Sequence, residues 1–220
     1  MSKSNCMILG SKIGMMQIFD DTGMALPATV IKVGPCFITQ IKKKEECGYN
    51  AVQIGYSPVT KKHLTKPERR HLRSKKLPLL KHLQEYRIEN LTNFQKTIQS
   101  INPGKLRLKI KLDLRLLENV KTVNVTGYTI GKGHAGNIKR HHFNRGAMTH
   151  GSKHHRLQGS LGAGTSPGRV FPGKRMSGHL GMEKRTIKNL QILDINQENN
   201  LLVLKGCVPG KKGNLVTINF

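Results

Sequence analysis

Residues 7–33 read MILGSKIGMMQIFDDTGMALPATVIKV. Met7-Ile8-Leu9 leads into Met15-Met16-Gln17-Ile18-Phe19, and then Asp20-Asp21-Thr22-Gly23 interrupts the apolar run. A short polar cluster with a glycine available for positive φ is a hairpin turn signal. Residues 28–33, ATVIKV, supply the returning strand, and Gly34-Pro35 stops it. Two more β-branched runs follow at 37–41 and 51–56. Apolar and polar positions alternate across residues 5–58 with regular turn spacing, which predicts a barrel or a sandwich.

The same texture returns at the other end of the chain. Residues 187–195 read as a strand, 196–200 (NQENN) as a turn, 201–205 as the partner strand, and 215–218 as a closing strand. Both ends are expected in one β-domain. Between them, residues 61–81 carry Lys61, Lys62, Lys66, Arg69, Arg70, Arg73, Lys75, Lys76 and Lys81 against a single acid, Glu68. Pro67 suits the first turn of a short helix there, and the clustered charge suits phosphate. Residues 83–118 are mixed in character. Within them Leu106, Leu108, Ile110 and Leu112 alternate with Arg107, Lys109 and Lys111, the pattern of a half-buried strand with a basic outer face.

The 220 residues include 38 Lys and Arg but only 12 Asp and Glu, a net charge of +26. So large a charge opposes compaction of the isolated chain and implies a polyanionic partner, nucleic acid before an anionic membrane surface. No run of about 18 apolar residues is present to span a bilayer as a helix. The first residues, MSKSNCMILGSKIGMMQIF, lack the apolar core and cleavage site of a signal peptide. The expectation is a chain made where it works, or one already processed. Cys6, Cys36, Cys47 and Cys207 form no C-x-x-C pair, so free thiols in a reducing compartment are expected. Trp is absent and aromatics are 5% of the chain, which leaves little for base-stacking platforms.

Residues 120–182 have a second texture. They contain no Asp or Glu, ten Lys or Arg, thirteen Gly and seven of the ten His. From 131 to 181 large apolar residues are sparse and follow no period, so too little apolar surface opposes the chain entropy. The alternatives are a free loop and an extended arm ordered by packing inside RNA. Glycine permits close backbone approach, Lys and Arg neutralise phosphate, and His hydrogen-bonds and stacks. These features, with the exclusion of acids, favour the arm. Lys132, Lys139, Arg140, Arg145, Lys153, Arg156, Arg169, Lys174 and Arg175 are the expected phosphate contacts. His141, His150, His154 and His155 are expected to stack or hydrogen-bond.

Several enzyme-like patterns lack their context. Gly131-Lys132-Gly133-His134-Ala135-Gly136 matches G-x-G-x-x-G, yet no apolar helix follows and no acid appears before Glu183. Residues 168–175, GRVFPGKR, imitate a P-loop but end in Arg where Ser or Thr would hold magnesium. The histidines have no carboxylate or paired cysteine to complete a metal site. Neither a catalytic carboxylate pair nor an oriented nucleophile is present. A free basic DNA-binding protein is the remaining rival, without a helix-turn-helix pattern to support it.

Residues 123–140, VNVTGYTIGKGHAGNIKR, resemble the signature of the ribosomal protein L3 family. Gly127, Gly131-Lys132-Gly133, Gly136 and Lys139-Arg140 fall on the family pattern of a glycine, three residues, G-K-G, two residues, a glycine and a terminal K-R. Residues 8–15 are similar to the family's first strand. Residues 159–162 (GSLG), 165–168 (TSPG) and 174–181 (KRMSGHLG) resemble its later loop, and 201–210 (LLVLKGCVPG) its closing hairpin. The resemblance covers nearly the whole chain. It implies a mainly β fold: a six-stranded translation-protein type β-barrel with a small mixed α/β insertion and a long basic Gly/His-rich extended loop. The expected division is a barrel domain of residues 1–126 and 182–220, with 61–118 as the insertion, and a loop of 127–181 entering the ribosomal RNA. The loop tip is expected near residues 145–165.

The resemblance further implies a structural, non-enzymatic constituent of the large ribosomal subunit. Such a protein binds 23S-type ribosomal RNA and neighbouring large-subunit proteins, acts early in assembly and supports the peptidyl transferase centre. It takes no cofactor, metal, membrane or small-molecule substrate. Bacterial members often carry glutamines between the GSLG and PG blocks, one of them methylated in some members. Here Ala163-Gly164-Thr165 stands in that stretch, so the modification is expected to be absent. That variant is more similar to plastid and cyanobacterial members, which points to a plastid (chloroplast) ribosome in the stroma, with the bacterial cytoplasm as the alternative.

Overall fold

The computed structural model describes residues 6–89, 94, 95, 98 and 108–220. Two compact units are present: one runs to Tyr128 and resumes from Lys184 to Phe220, and the other is Thr129–Glu183.

The first unit is mainly β. Strands β1 (Met7–Phe19), β2 (Ala25–Val33), β7 (Thr122–Tyr128), β10 (Lys184–Asn196), β11 (Leu201–Lys205) and β12 (Leu215–Asn219) close a six-stranded barrel in the order β1-β12-β7-β10-β11-β2. Every neighbouring pair is antiparallel. The barrel therefore joins both ends of the chain, as their shared texture predicts. Closure requires tilted, strongly twisted strands, and bulges supply local twist. The register shifts between Lys12 and Gly14, between Ile187 and Leu190, and between Ile192 and Asp194. At the second shift Asn189 takes φ 55° and its N–H donates to Asn124 Oδ1 at 2.9 Å.

The predicted turn after β1 forms. Asp20 Oδ1 accepts from the Thr22 N–H (3.0 Å), the Thr22 hydroxyl (2.6 Å) and the Met24 N–H (2.9 Å), and Gly23 takes φ 79°. Those bonds favour the ionised carboxylate and hold Asp20 below its ordinary pKa, the Thr22 hydroxyl contributing most.

Strand texture did not reveal which sheet each strand joins. Strands β3 (Cys36–Lys42) and β4 (Ala51–Pro58) leave the barrel and form a second sheet with β5 (Leu80–Arg87) and β6 (Lys111–Leu112), in the order β5-β4-β3-β6. Of the strand expected over 106–112, the described residues 108–112 keep only β6. Lys109 takes φ 72°, which breaks the pleat, although its N–H still reaches the Ile38 carbonyl at 3.0 Å. Residues 106 and 107 lie outside the described residues. The predicted helix is α2 (Lys66–Ser74), which follows α1 (Lys44–Cys47) in the chain and has Pro67 in its first turn. Thr65 and Glu68 form a capping box across its start.

Barrel and second sheet share one apolar core. Ile8, Leu9, Ile31, Val125, Leu202, Leu204, Val216 and Ile218 belong to the same buried cluster as Ile38, Val52, Ile54, Phe94 and Leu117. A smaller cluster of Leu72, Leu77 and Leu80 seats α2. Cys6 and Cys36 are free thiols inside the main core, and burial pushes both up to about 12. Cys47 and Cys207 are free and exposed.

Candidate nucleic-acid interface

The unit Thr129–Glu183 is built without an apolar core. Ala135 and Asn137 are its only buried residues. Ile130, Met148, Leu157, Phe171 and Met182 each leave more than half of their surface exposed. Order in this unit comes from hydrogen bonds and tight glycine geometry.

A two-stranded ribbon, β8 (Gly133–Ala135) against β9 (Gly178–Leu180), closes the base. Lys132 N–H to Leu180 O (2.9 Å) and Thr129 N–H to Glu183 O (3.0 Å) extend the pairing. Gly181 takes φ 79°, and a Cβ there would collide with the Ile130 carbonyl. The short helix Asn137–His141 follows and ends at His142 in the left-handed region, φ 59°. Arg140 Nη1 donates to the Met176 carbonyl at 2.7 Å, and His141 Nε2 meets the same oxygen at 3.0 Å. Gly178 makes room for that arrangement, because a Cβ would sit 2.7 Å from Arg140 Nη1. Asn137 Nδ2 reaches Gln158 Oε1 and Arg175 O, each at 3.4 Å. Farther along, Gly146 N–H donates to His155 O (2.9 Å), and His155 Nδ1 lies 2.8 Å from Ala147 O.

The expected RNA-contacting residues separate into two groups in this geometry. Lys132, Lys139, Arg145, His150, Lys153, His154, Arg156, Lys174 and Arg175 are exposed. Arg169 is exposed too, with its guanidinium 5.6 Å from the Phe171 ring centroid. By contrast Arg140 and His141 are half-buried and spend hydrogen bonds on Met176, and His155 spends one on Ala147. These three brace the chain as well as carrying polar groups outward.

Sequence reasoning passed over two sets of residues here. Asn137 is buried, and its Oδ1 has no hydrogen-bond partner. No periodicity marks a lone asparagine of this kind. The other set is apolar: Met148, Leu157, Leu161, Val170 and Phe171. Its signal was available, since apolar residues in a segment unable to build a core must either face water or face a partner.

The electrostatics are one-sided. Glu183 is the only acid in the unit. No group of three or more His, Cys, Asp or Glu able to hold an ion occurs among the described residues. In the first unit, Lys66, Arg69, Arg70 and Arg73 line a groove along α2, on the helix that Leu72 anchors.

Comparison with known proteins gives concordant findings. A family model described as Ribosomal protein L3 matches residues 108–201. The "Large ribosomal subunit protein uL3c" of Porphyra purpurea is 52% identical over 212 residues, covering 96% of this chain and 98% of the relative. That of Guillardia theta is 49% identical over 211 residues, covering 96% and 98%. The "Large ribosomal subunit protein uL3" of the cyanobacterium Picosynechococcus is 49% identical over 212 residues, covering 96% and 94%.

Proposed function

We propose, from the premise that this chain belongs to the ribosomal protein L3 family, that it binds 23S-type ribosomal RNA through the unit Thr129–Glu183 and so supports subunit assembly and the peptidyl transferase centre. As a member of that family the chain is a structural constituent of the large ribosomal subunit and not an enzyme. The plastid and cyanobacterial relatives make it a ribosomal protein of plastid type, with a bacterial ribosome as the alternative.

One observation carries the RNA reading. The 63-residue acid-free stretch 120–182 takes in all but the last residue of a unit that buries only two residues yet holds a defined hydrogen-bonded path. Such a surface gains stability when phosphates neutralise its charge and bases or sugars cover its apolar side chains. The barrel domain of residues 1–126 and 182–220, with its 61–118 insertion, acts as the anchor. Residues 127–181 act as the penetrating loop. Lys132, Lys139, Arg145, Lys153, Arg156, Arg169, Lys174 and Arg175 contact phosphate. His150 and His154 stack or hydrogen-bond, while Arg140, His141 and His155 contact RNA from positions that also brace the loop. The cations along α2 add a second phosphate-facing strip.

Sedimentation of the native protein, followed by sequencing of crosslinked RNA, tests the reading. Large-subunit comigration at high salt with crosslinks near the peptidyl transferase region is expected. Crosslinks from 129–183 to RNA elsewhere in the subunit would overturn it.

A further inference from the structure

The β1–β2 hairpin runs past the end of the barrel. On β1, pairing with β12 stops at Ser11–Leu215, with last bonds from the Lys12 N–H to Asn214 O at 3.0 Å and from the Gly213 N–H to Lys12 O at 2.7 Å. On β2, pairing with β11 stops at Ala28–Lys205, with a last bond from the Gly206 N–H to Pro27 O at 2.7 Å. From Gln17 to Phe19 and back from Ala25 to Pro27, the two strands pair with each other. No other strand pairs with that stretch among the described residues.

This protruding ribbon differs in chemistry from the rest of the molecule. Met15 and Met16 are each 50% exposed, Met24 is 62% and Phe19 66%. Between Lys12 and Lys32 lie 19 residues without a single Lys or Arg, in a chain that has 38 of them. The charges in that span are Asp20 and Asp21. Asp20 is committed to the turn, where its bonds hold it ionised. Asp21 is exposed beside it.

We propose that the hairpin tip, Met15 to Leu26, is a docking site for a second large-subunit protein that offers an apolar seat rimmed by Lys or Arg. The proposal rests on the reading that the chain works inside the large subunit beside other proteins. It does not depend on which RNA the 129–183 unit meets.

Charge complementarity selects this occupant. The tip carries two carboxylates and no cation of its own; Lys205 of the neighbouring strand acts on Asp20, which leaves Asp21 exposed to repel phosphate, so RNA is a poor partner for this one surface. A second copy docked hairpin to hairpin would set the same carboxylates against each other. A basic protein satisfies both features: its cations pair with Asp20 and Asp21, and its apolar patch covers the methionines and Phe19. Methionine adapts to irregular apolar surfaces. A central aromatic is a common energetic anchor of interfaces. The turn bonds around Asp20 preorganise the tip, which lowers the ordering cost of binding.

The test uses the full-length chain in purified large subunits, with p-benzoylphenylalanine replacing Phe19 in one preparation and Met24 in another. Both positions are more than half exposed, and comigration with the subunit shows that each variant has folded and assembled. The expected result from either probe is a crosslink to one basic large-subunit protein, at an apolar segment flanked by Lys or Arg. Crosslinks to ribosomal RNA, to a second copy or to an acidic protein would overturn the proposal, and so would no crosslink in assembled subunits. Asp21→Lys should lower the crosslink yield about tenfold and reduce its salt sensitivity; an unchanged yield would remove the charge argument. A third probe replacing Leu157 reports separately on the RNA reading. Protein from the hairpin and RNA from position 157 support both, whereas a reversal at one position defeats only the matching claim.

Discussion

The barrel unit and the 129–183 unit are held together by different means. In the barrel unit, Ile8, Leu9, Ile31, Leu202, Leu204 and Ile218 are fully buried in a core shared with the second sheet. In the other unit only Ala135 and Asn137 are buried. The first can be stable in water because burying apolar surface opposes the entropy of ordering the chain. The second lacks that term and depends on backbone pairing and on side-chain bonds such as Arg140 to Met176.

The largest expected effect tests whether the two regions are separable. Deleting residues 131–181 leaves Ile130 facing Met182 beyond the paired residues Tyr128 and Lys184. A short connection can therefore replace the unit. The truncated protein should keep the circular dichroism and cooperative melting of a folded β-domain while large-subunit assembly fails. Collapse of the β signal would show instead that the barrel needs the loop.

Side-chain truncation sharpens the contrast. Leu9→Ala, at a fully buried site, should destabilise the chain by about 2–5 kcal/mol. Leu157→Ala, at a residue 62% exposed, should change stability by less than about 0.5 kcal/mol but weaken association with the subunit. Denaturant midpoints of the free variants and salt-wash retention of the assembled ones separate the two effects.

Glycines give a smaller, parallel test. A Cβ on Gly10 would lie 2.8 Å from Ile31 Cγ2 and 2.9 Å from the Lys32 carbonyl, so Gly10→Ala should cost about 1–3 kcal/mol. A Cβ on Gly162 meets nothing within 4 Å. Gly162→Ala should leave thermal stability nearly unchanged. Equal losses at the two sites would mean that the second unit is packed more tightly than its exposure indicates.

The smallest effect concerns pH. Asp20 has a depressed pKa in the folded chain, so its contribution is present above the ordinary aspartate value and disappears as pH falls through the lowered one. An NMR titration of the Asp20 carboxyl should show that depression, and Thr22→Ala should return it towards the ordinary value. No acid lies within the loop from Thr129 to Met182 to give a matching response.

Legibility followed the reach of the interactions involved. The β1–β2 turn, the α2 start at Pro67 and the closing strands β11 and β12 depend on neighbours a few residues away, and local pattern predicts them. Thr65 and Glu68 were equally local, and the T-x-x-E spacing of a capping box marks them once the helix is suspected. Of the strand expected over 106–112, residues 108–110 were misread because alternation continued through a turn at Lys109, whose positive φ no side chain announces. In the candidate interface, the cations were legible as composition. Their division into exposed groups and bracing groups was not, since that depends on Met176, some 35 residues along the chain from His141.

The amino-acid sequence by itself determined the two textures, the large positive charge, the absence of enzymatic constellations and, through its motifs, the family. These follow from residue type and spacing, which are properties of the chain before it folds. Tertiary structure alone decided that β3 and β4 leave the barrel, that both sheets share one core, and that the β1–β2 hairpin stands beyond its neighbours. Each of those depends on which distant strand satisfies a given edge. A strand with period-two alternation carries the same code for any sheet it joins, so its partner is chosen only when the whole chain competes for the same hydrogen bonds and the same core.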